Sequence, residues 1–210
     1  MSKTLAILGS RHLGRQIANI AISDNQYERV VFFDDFTKEK QVNGFKILGT
    51  SNEIVSEFDR KSFDKLIIGI GYNHLSVRKE MFDRFNNIVP FATIIHSSCV
   101  IDESAQVKDG CVIYPCCCVD TNTIIENNTI VNIACTIAHD CLIGKHSFLS
   151  PRVAIAGFVE LGEQCFLGIN STIIDNVKVF DNIQLGGGTI VIKNIKDRGL
   201  YVGNPARFVK

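Results

Sequence analysis

The chain has 210 residues, enough for one large or two small domains with a sizeable buried core. With 46% hydrophobic and 21% charged residues it does not have the composition of a disordered chain, and 22 Lys and Arg against 22 Asp and Glu leave no overall field for a nucleic-acid backbone or an anionic membrane. The longest apolar runs are about six residues, far short of the roughly 18 to 20 that cross a bilayer.

The opening MSKTLAILGS runs directly into a strand-like segment without a long hydrophobic region, which predicts no signal peptide and a cytoplasmic protein. Strands are expected over 4–9, 29–34, 44–48, 65–71 and 91–96, where β-branched and aromatic residues cluster between polar stretches. Helices are expected over 13–23, 52–58 and 74–87, the last from the spacing of Leu75, Met81, Phe82 and Phe85. Strands alternating with helices imply a small parallel α/β sheet, Rossmann-like in plan, over residues 1–94.

Gly9-Ser10-Arg11-His12-Leu13-Gly14 lies between the first strand and the first helix, where backbone N–H groups and the helix dipole meet a phosphate. It matches neither the G-x-x-x-x-G-K-[ST] loop, because Arg15-Gln16 stands where Lys-Ser should be, nor G-x-G-x-x-G, because Arg11 replaces the second glycine. A loop of this kind either turns the chain or holds a small phosphorylated ligand. Asp34-Asp35 at the end of the second strand, placed to accept hydrogen bonds from ribose or sugar hydroxyls, favours a phosphorylated sugar or nucleotide.

From Ile95 the period changes to six. Every sixth residue from Ile95 to Val191 is Ile, Val or Leu, and the position four later is always small or β-branched. Such a repeat closes a triangular coil of 18 residues from three short strands, giving a parallel β-helix over 95–193, followed by a tail over 194–210. Period alone does not set its hand. Cys99, Cys111, Cys117, Cys135, Cys141 and Cys165 occupy the small position, where a reduced thiol packs as a compact hydrophobe. Cys116-Cys117-Cys118 lacks the C-x2-C spacing of a zinc site and only His139 and His146 lie well inside the repeat, so no metal is expected. His139, two residues after the inward Ile137 and followed by Asp140, falls at an outward corner. It is either a solvated turn residue or a general base, since imidazole accepts a proton near neutral pH.

The unbroken hexads, Ile137-Ala138-His139-Asp140-Cys141-Leu142-Ile143-Gly144, the Leu185-Gly186-Gly187-Gly188 run and the terminal Val202-Gly203-Asn204-Pro205-Ala206 resemble bacterial nucleotide-sugar N-acetyltransferases of the left-handed β-helix, or hexapeptide-repeat, acyltransferases. The resemblance spans essentially the whole chain. It implies a left-handed coil, a homotrimer with acetyl-CoA between neighbouring prisms, and a nucleotide sugar on the N-terminal domain. The acceptor would be the 4-amino group of a UDP- or dTDP-linked 4-amino-4,6-dideoxy sugar in surface polysaccharide or glycan synthesis.

Carried over residue by residue, the resemblance makes His139 the general base, Asp140 its carboxylate neighbour and Asn132 a supporting polar group. Gly9, Ser10 and Gly14 would face the pyrophosphate and Asp34 and Asp35 the nucleoside, with Arg11 and His12 also in the substrate-binding set. Gly157, Gly187, Gly203, Pro205 and Arg207 would meet the cofactor, with Lys196, Arg198 and Lys210 adding positive charge at the tail. The family's second histidine, nine residues after the first, is replaced here by Phe148, with His146 two residues earlier. A sugar O-acetyltransferase on the same scaffold and a non-catalytic nucleotide-sugar-binding scaffold are the alternative readings.

Overall fold

The computed structural model describes residues 3–210, which form two compact units meeting between Ile94 and Ile95. In the first, β1 (Thr4–Leu8), β2 (Arg29–Phe33), β3 (Gln41–Val42), β4 (Phe45–Gly49) and β5 (Lys65–Ile68) form one sheet in the order β3-β4-β2-β1-β5, parallel except for the β3–β4 hairpin. That hairpin turns through Asn43 and Gly44 at φ 48° and 81°, the Asn-Gly turn that matches strand twist. Helices α1 (His12–Ser23), α2 (Ile54–Asp59) and α3 (Leu75–Phe85) accompany the sheet. The expected strand over 65–71 stops at Ile68, and Gly69 to Gly71 leave it as a loop. Of the strand expected over 91–96, Phe91 makes a single parallel bridge to Leu66 and Ile94–Ile95 form a two-residue strand.

The second unit is a left-handed parallel β-helix built of two-residue strands. From Val100 to Val191 the strands pair in parallel at an offset of 18 residues, so that Val119 meets Ile137, Ile137 meets Ile155 and Ile155 meets Ile173. The inward aliphatics from Ile113 to Val191 are buried in one continuous column, and Ile95, Ile101 and Val107 pack partly buried against it. Three such faces require three turns per coil, and from Gly110 to Gly188 each turn uses one residue three positions after the inward aliphatic, held at positive φ. Asn122, Asp140, Phe158 and Asn176 mark one corner and Asn128, His146, Gln164 and Asn182 another. Asn accepts this conformation at low cost, which accounts for its frequency there.

The small residue four positions after each inward aliphatic does more than fill space. Cys117 donates from Sγ to the Asn132 carbonyl at 3.0 Å, Thr123 to Ala138 at 2.7 Å, Cys135 to Ser150 at 3.2 Å, Cys141 to Ala156 at 3.1 Å and Ser147 to Gly162 at 3.1 Å. A thiol and a hydroxyl are therefore interchangeable here as small donors to the next coil. Burial pushes the Cys165 thiol up to about 12, which keeps the proton it gives to the Phe180 carbonyl. All eight cysteines are free.

No helix among the described residues is long and apolar enough to cross a membrane, and no group of three or more metal-ligating side chains occurs among them. Each coil contributes three inward aliphatics to the column, so a shortened side chain leaves a void among them. Leu149→Ala, at a fully buried position, is expected to lower stability by about 2–5 kcal/mol, read from urea unfolding followed by circular dichroism.

Candidate functional site

In the N-terminal unit the loop after β1 is tied down by one carboxylate. Gly9, at φ 103°, donates its N–H to the Phe33 carbonyl at 2.8 Å. Ser10 then donates both its N–H and its hydroxyl to Asp34 Oδ2, at 2.8 and 2.6 Å. The other oxygen, Oδ1, accepts from the N–H groups of Phe36 and Thr37 at 2.9 and 3.2 Å. Burial alone would raise the Asp34 carboxyl, but the Ser10 hydroxyl and the three N–H donors outweigh it and hold it below the ordinary carboxylate range.

Gly14 lets α1 start against this loop, because a Cβ there would collide with the Gly9 carbonyl oxygen. The first N–H groups of α1 have no intrahelical acceptor, and no acidic residue occupies its first turn. They open beside a cavity of about 310 Å³ lined by Gly9, Arg11, Asp34, Asp35, Phe36 and the Gly69–Gly71 loop, with His74 and Val77 from the segment after it. That size falls in the range of about 300–1,000 Å³ typical of small-molecule sites. Arg78, fully buried, donates to the Ile68 and Ile70 carbonyls at 2.8 and 2.9 Å and so supports the loop from beneath.

Of the expected substrate-side residues, Gly9, Arg11, Asp34 and Asp35 line the cavity together. Asp34 and Ser10 are taken up with each other and with the loop. Asp35 has Oδ1 engaged by the Ser51 N–H at 2.6 Å and is otherwise exposed. Gly14 acts in packing, and His12 is exposed on the first turn of α1, outside the cavity lining.

In the C-terminal unit His139 stands at a corner with its side chain 44% exposed. Its Nδ1 lies 2.9 Å from Asp140 Oδ2, and since a carboxylate can only accept, Nδ1 carries the proton and Nε2 the lone pair. Asp140, in the left-handed conformation, also accepts from Asn122 Nδ2 at 3.2 Å through Oδ1. The His139 and Asn122 hydrogen bonds hold its carboxyl below the ordinary range. One coil onward, a Cβ at Gly157 would come within 2.7 Å of the imidazole Cε1, so glycine is needed there by the imidazole itself. Phe158 meets the ring edge-on, with centroids 5.1 Å apart.

The Oδ1 of Asn132 accepts from the adjacent Ile133 N–H at 2.8 Å. His146 is buried at the next corner with Nδ1 3.0 Å from Asn128 Nδ2, and Phe148 is buried and stacked on Phe166. Gly187 faces Ile169, 3.2 Å from where its Cβ would lie, on a different corner from Gly157. Gly203, at φ 97°, and Pro205 form the turn between the Gly199–Val202 and Arg207–Phe208 strands, and Arg207 lies exposed in the second of them. Asn122 and Phe158 went unnoticed in the sequence, although the 18-residue offset that links His139 to Gly157 also links both of them to Asp140.

Residues 4–85 match the model of the PglD N-terminal domain. Over 99% of this chain and 100% of the other, the structure is similar to the acetyltransferase domain of PglB from Neisseria gonorrhoeae FA1090, with a TM-score of 0.92 and 25% identity. The same domain solved in complex with acetyl coenzyme A gives 0.91 at 25% identity, covering 100% of both chains. PerB from Caulobacter crescentus, solved with CoA and GDP-perosamine, has the same fold, with a TM-score of 0.87, 22% identity and coverage of 99% and 97%. No curated protein matches the sequence.

Asp34 ionises at lower pH in the folded chain than in the unfolded one, so the stability it contributes is present above the ordinary carboxylate range and is lost as pH falls through the lowered value. Asp34→Asn is expected to cost about 1–3 kcal/mol, because buried donors lose their acceptor. It should also flatten the acid limb of stability against pH in urea unfolding.

Proposed function

We propose that this chain, which resembles bacterial nucleotide-sugar N-acetyltransferases of the hexapeptide-repeat superfamily throughout its length, transfers the acetyl group of acetyl-CoA to the 4-amino group of a UDP- or dTDP-linked 4-amino-4,6-dideoxy sugar. The observation that carries the reading is the His139 imidazole, held through Nδ1 by Asp140 and exposed at a prism corner. An acetyl-CoA donor is supported by the PglB domain of N. gonorrhoeae solved with acetyl coenzyme A. A nucleotide sugar is supported by the glycine-loop cavity of the N-terminal unit and by PerB, solved with GDP-perosamine.

In the reaction the amine nitrogen attacks the thioester carbonyl, and Nε2 of His139 takes the proton that the nitrogen sheds. Asp140 stabilises the imidazolium that results, and its lowered pKa keeps it ionised for that purpose. Collapse of the tetrahedral adduct breaks the carbon–sulfur bond, and the proton passes from His139 to the departing CoA thiolate. The nitrogen keeps the acetyl group as an amide, so no acyl-enzyme forms. Gly9, Arg11, His12 and Asp35 would contact the nucleotide sugar, while Asp34, Ser10 and Gly14 fix the loop that presents it. Gly187, Gly203, Pro205 and Arg207 are assigned to acetyl-CoA in a cytoplasmic homotrimer.

Release of CoA thiol with a panel of UDP-, dTDP- and GDP-linked amino sugars, with mass spectrometry of the product, tests the reaction. One acetyl group on the amine is the expected result, and turnover with hydroxyl acceptors alone would reject N-acetylation. His139→Ala should lower kcat by about 10²- to 10⁴-fold with an unchanged circular dichroism spectrum. Retention of most of kcat in that variant would reject the base.

A further inference from the structure

Phe36 is the most exposed large apolar side chain among the described residues, at 85%, and it lines the glycine-loop cavity. An isolated exposed phenylalanine on a mobile loop would mean little. This one is positioned: its own N–H and that of Thr37 both donate to the buried Asp34 carboxylate, whose other oxygen holds Ser10 of the glycine loop. One carboxylate thus sets the anion-seeking end of the cavity and its aromatic end relative to each other.

The surroundings decide what the ring is for. Its chain neighbours Asp35, Thr37, Lys38, Glu39 and Lys40 are polar or charged, and Ile70 and Val77 line the cavity with it. A flat aromatic face offered to solvent at the mouth of a cavity suits a flat π-system. A nucleoside diphosphate carries such a π-system at one end and an anion at the other.

We infer that Phe36 stacks on the nucleobase of the nucleotide-linked substrate, and that Asp34 is a positioning residue for this contact rather than a ligand. The inference rests on the reading of the cavity as a nucleotide site. Stacking tolerates any base because each has a π-face, so Phe36 supplies affinity for the nucleoside, and choice among bases falls to polar groups such as Asp35.

The test uses UDP, dTDP and GDP as probes, with inorganic pyrophosphate as the base-free control. Phe36→Ala should weaken binding of whichever nucleoside diphosphate the unaltered protein takes by about tenfold or more in calorimetry, with pyrophosphate binding unchanged. Because the chain contains no tryptophan, Phe36→Trp installs a single indole at the cavity mouth. Its emission should be quenched by the nucleotide and not by pyrophosphate. Binding that survives Phe36→Ala within twofold, or indole emission indifferent to the bound nucleotide, would overturn the stacking while leaving the cavity a nucleotide site. Failure of the unaltered protein to bind any of the three nucleotides would instead overturn the reading of the cavity, and the stacking with it.

Discussion

Parallel strand pairing at an offset of 18 residues is the constraint on which the C-terminal unit depends. Main-chain hydrogen bonds stack each coil on the next at about 4.8 Å, and the repeat in sequence then becomes a repeat in space. A residue acquires as neighbours those 18 positions before and after it, so every corner is a column. His139 owes its environment to this rule: Gly157 above it leaves room for the ring, and Asn122 below Asp140 steadies the carboxylate that holds Nδ1. Nothing near His139 in the linear sequence except Asp140 and Cys141 would indicate those surroundings.

The same stacking explains the cysteine content. A residue at the small position must fit beside the inward aliphatic, and a side chain with a donor can also satisfy a carbonyl of the following coil, which Val153, Val159 and Val177 cannot. Cys, Thr and Ser do both, and Cys does so with the least competing demand for water, since its S–H is a weak donor and its body is apolar. The thiols are thus corner donors as well as filler, which composition and spacing could not distinguish. Hydrogen bonding, by contrast, is directional and is visible only in the coordinates.

Legibility in the sequence followed the physics of each level. The β-helix was readable because its period is strict and its inward positions admit only Ile, Val and Leu. The α/β alternation was readable for the ordinary reason that buried strands and amphipathic helices have different periods. The β3–β4 hairpin carried the signal of Asn43-Gly44, which was overlooked between two stronger strands. In the site, the glycine loop and the acidic pair were visible, but how they divide their work was not. A carboxylate at a strand end looks the same in sequence whether or not its own backbone engages it, and the four hydrogen bonds that Asp34 accepts are visible only in the structure. Asn132 shows the same limit, since the hydrogen bond that its Oδ1 accepts from the Ile133 N–H is visible only in the structure.

Backbone strain adds a last step. Corners in the left-handed region cost least with Gly or Asn, yet along the corner of His139 the sequence runs Asn122, Asp140, Phe158, Asn176. Asp140 can tolerate that conformation, whereas a bulky phenylalanine at φ 57° is a genuine outlier. The outlier falls where the ring of Phe158 stands edge-on to the imidazole, half-exposed to solvent. The strain is held by main-chain bonds on both sides, from the Phe158 N–H to the His139 carbonyl and from the Asn176 N–H to the Gly157 carbonyl. Gly157 and Phe158 border the imidazole on one side, Gly157 beside its Cε1 and Nε2 and Phe158 edge-on to the ring.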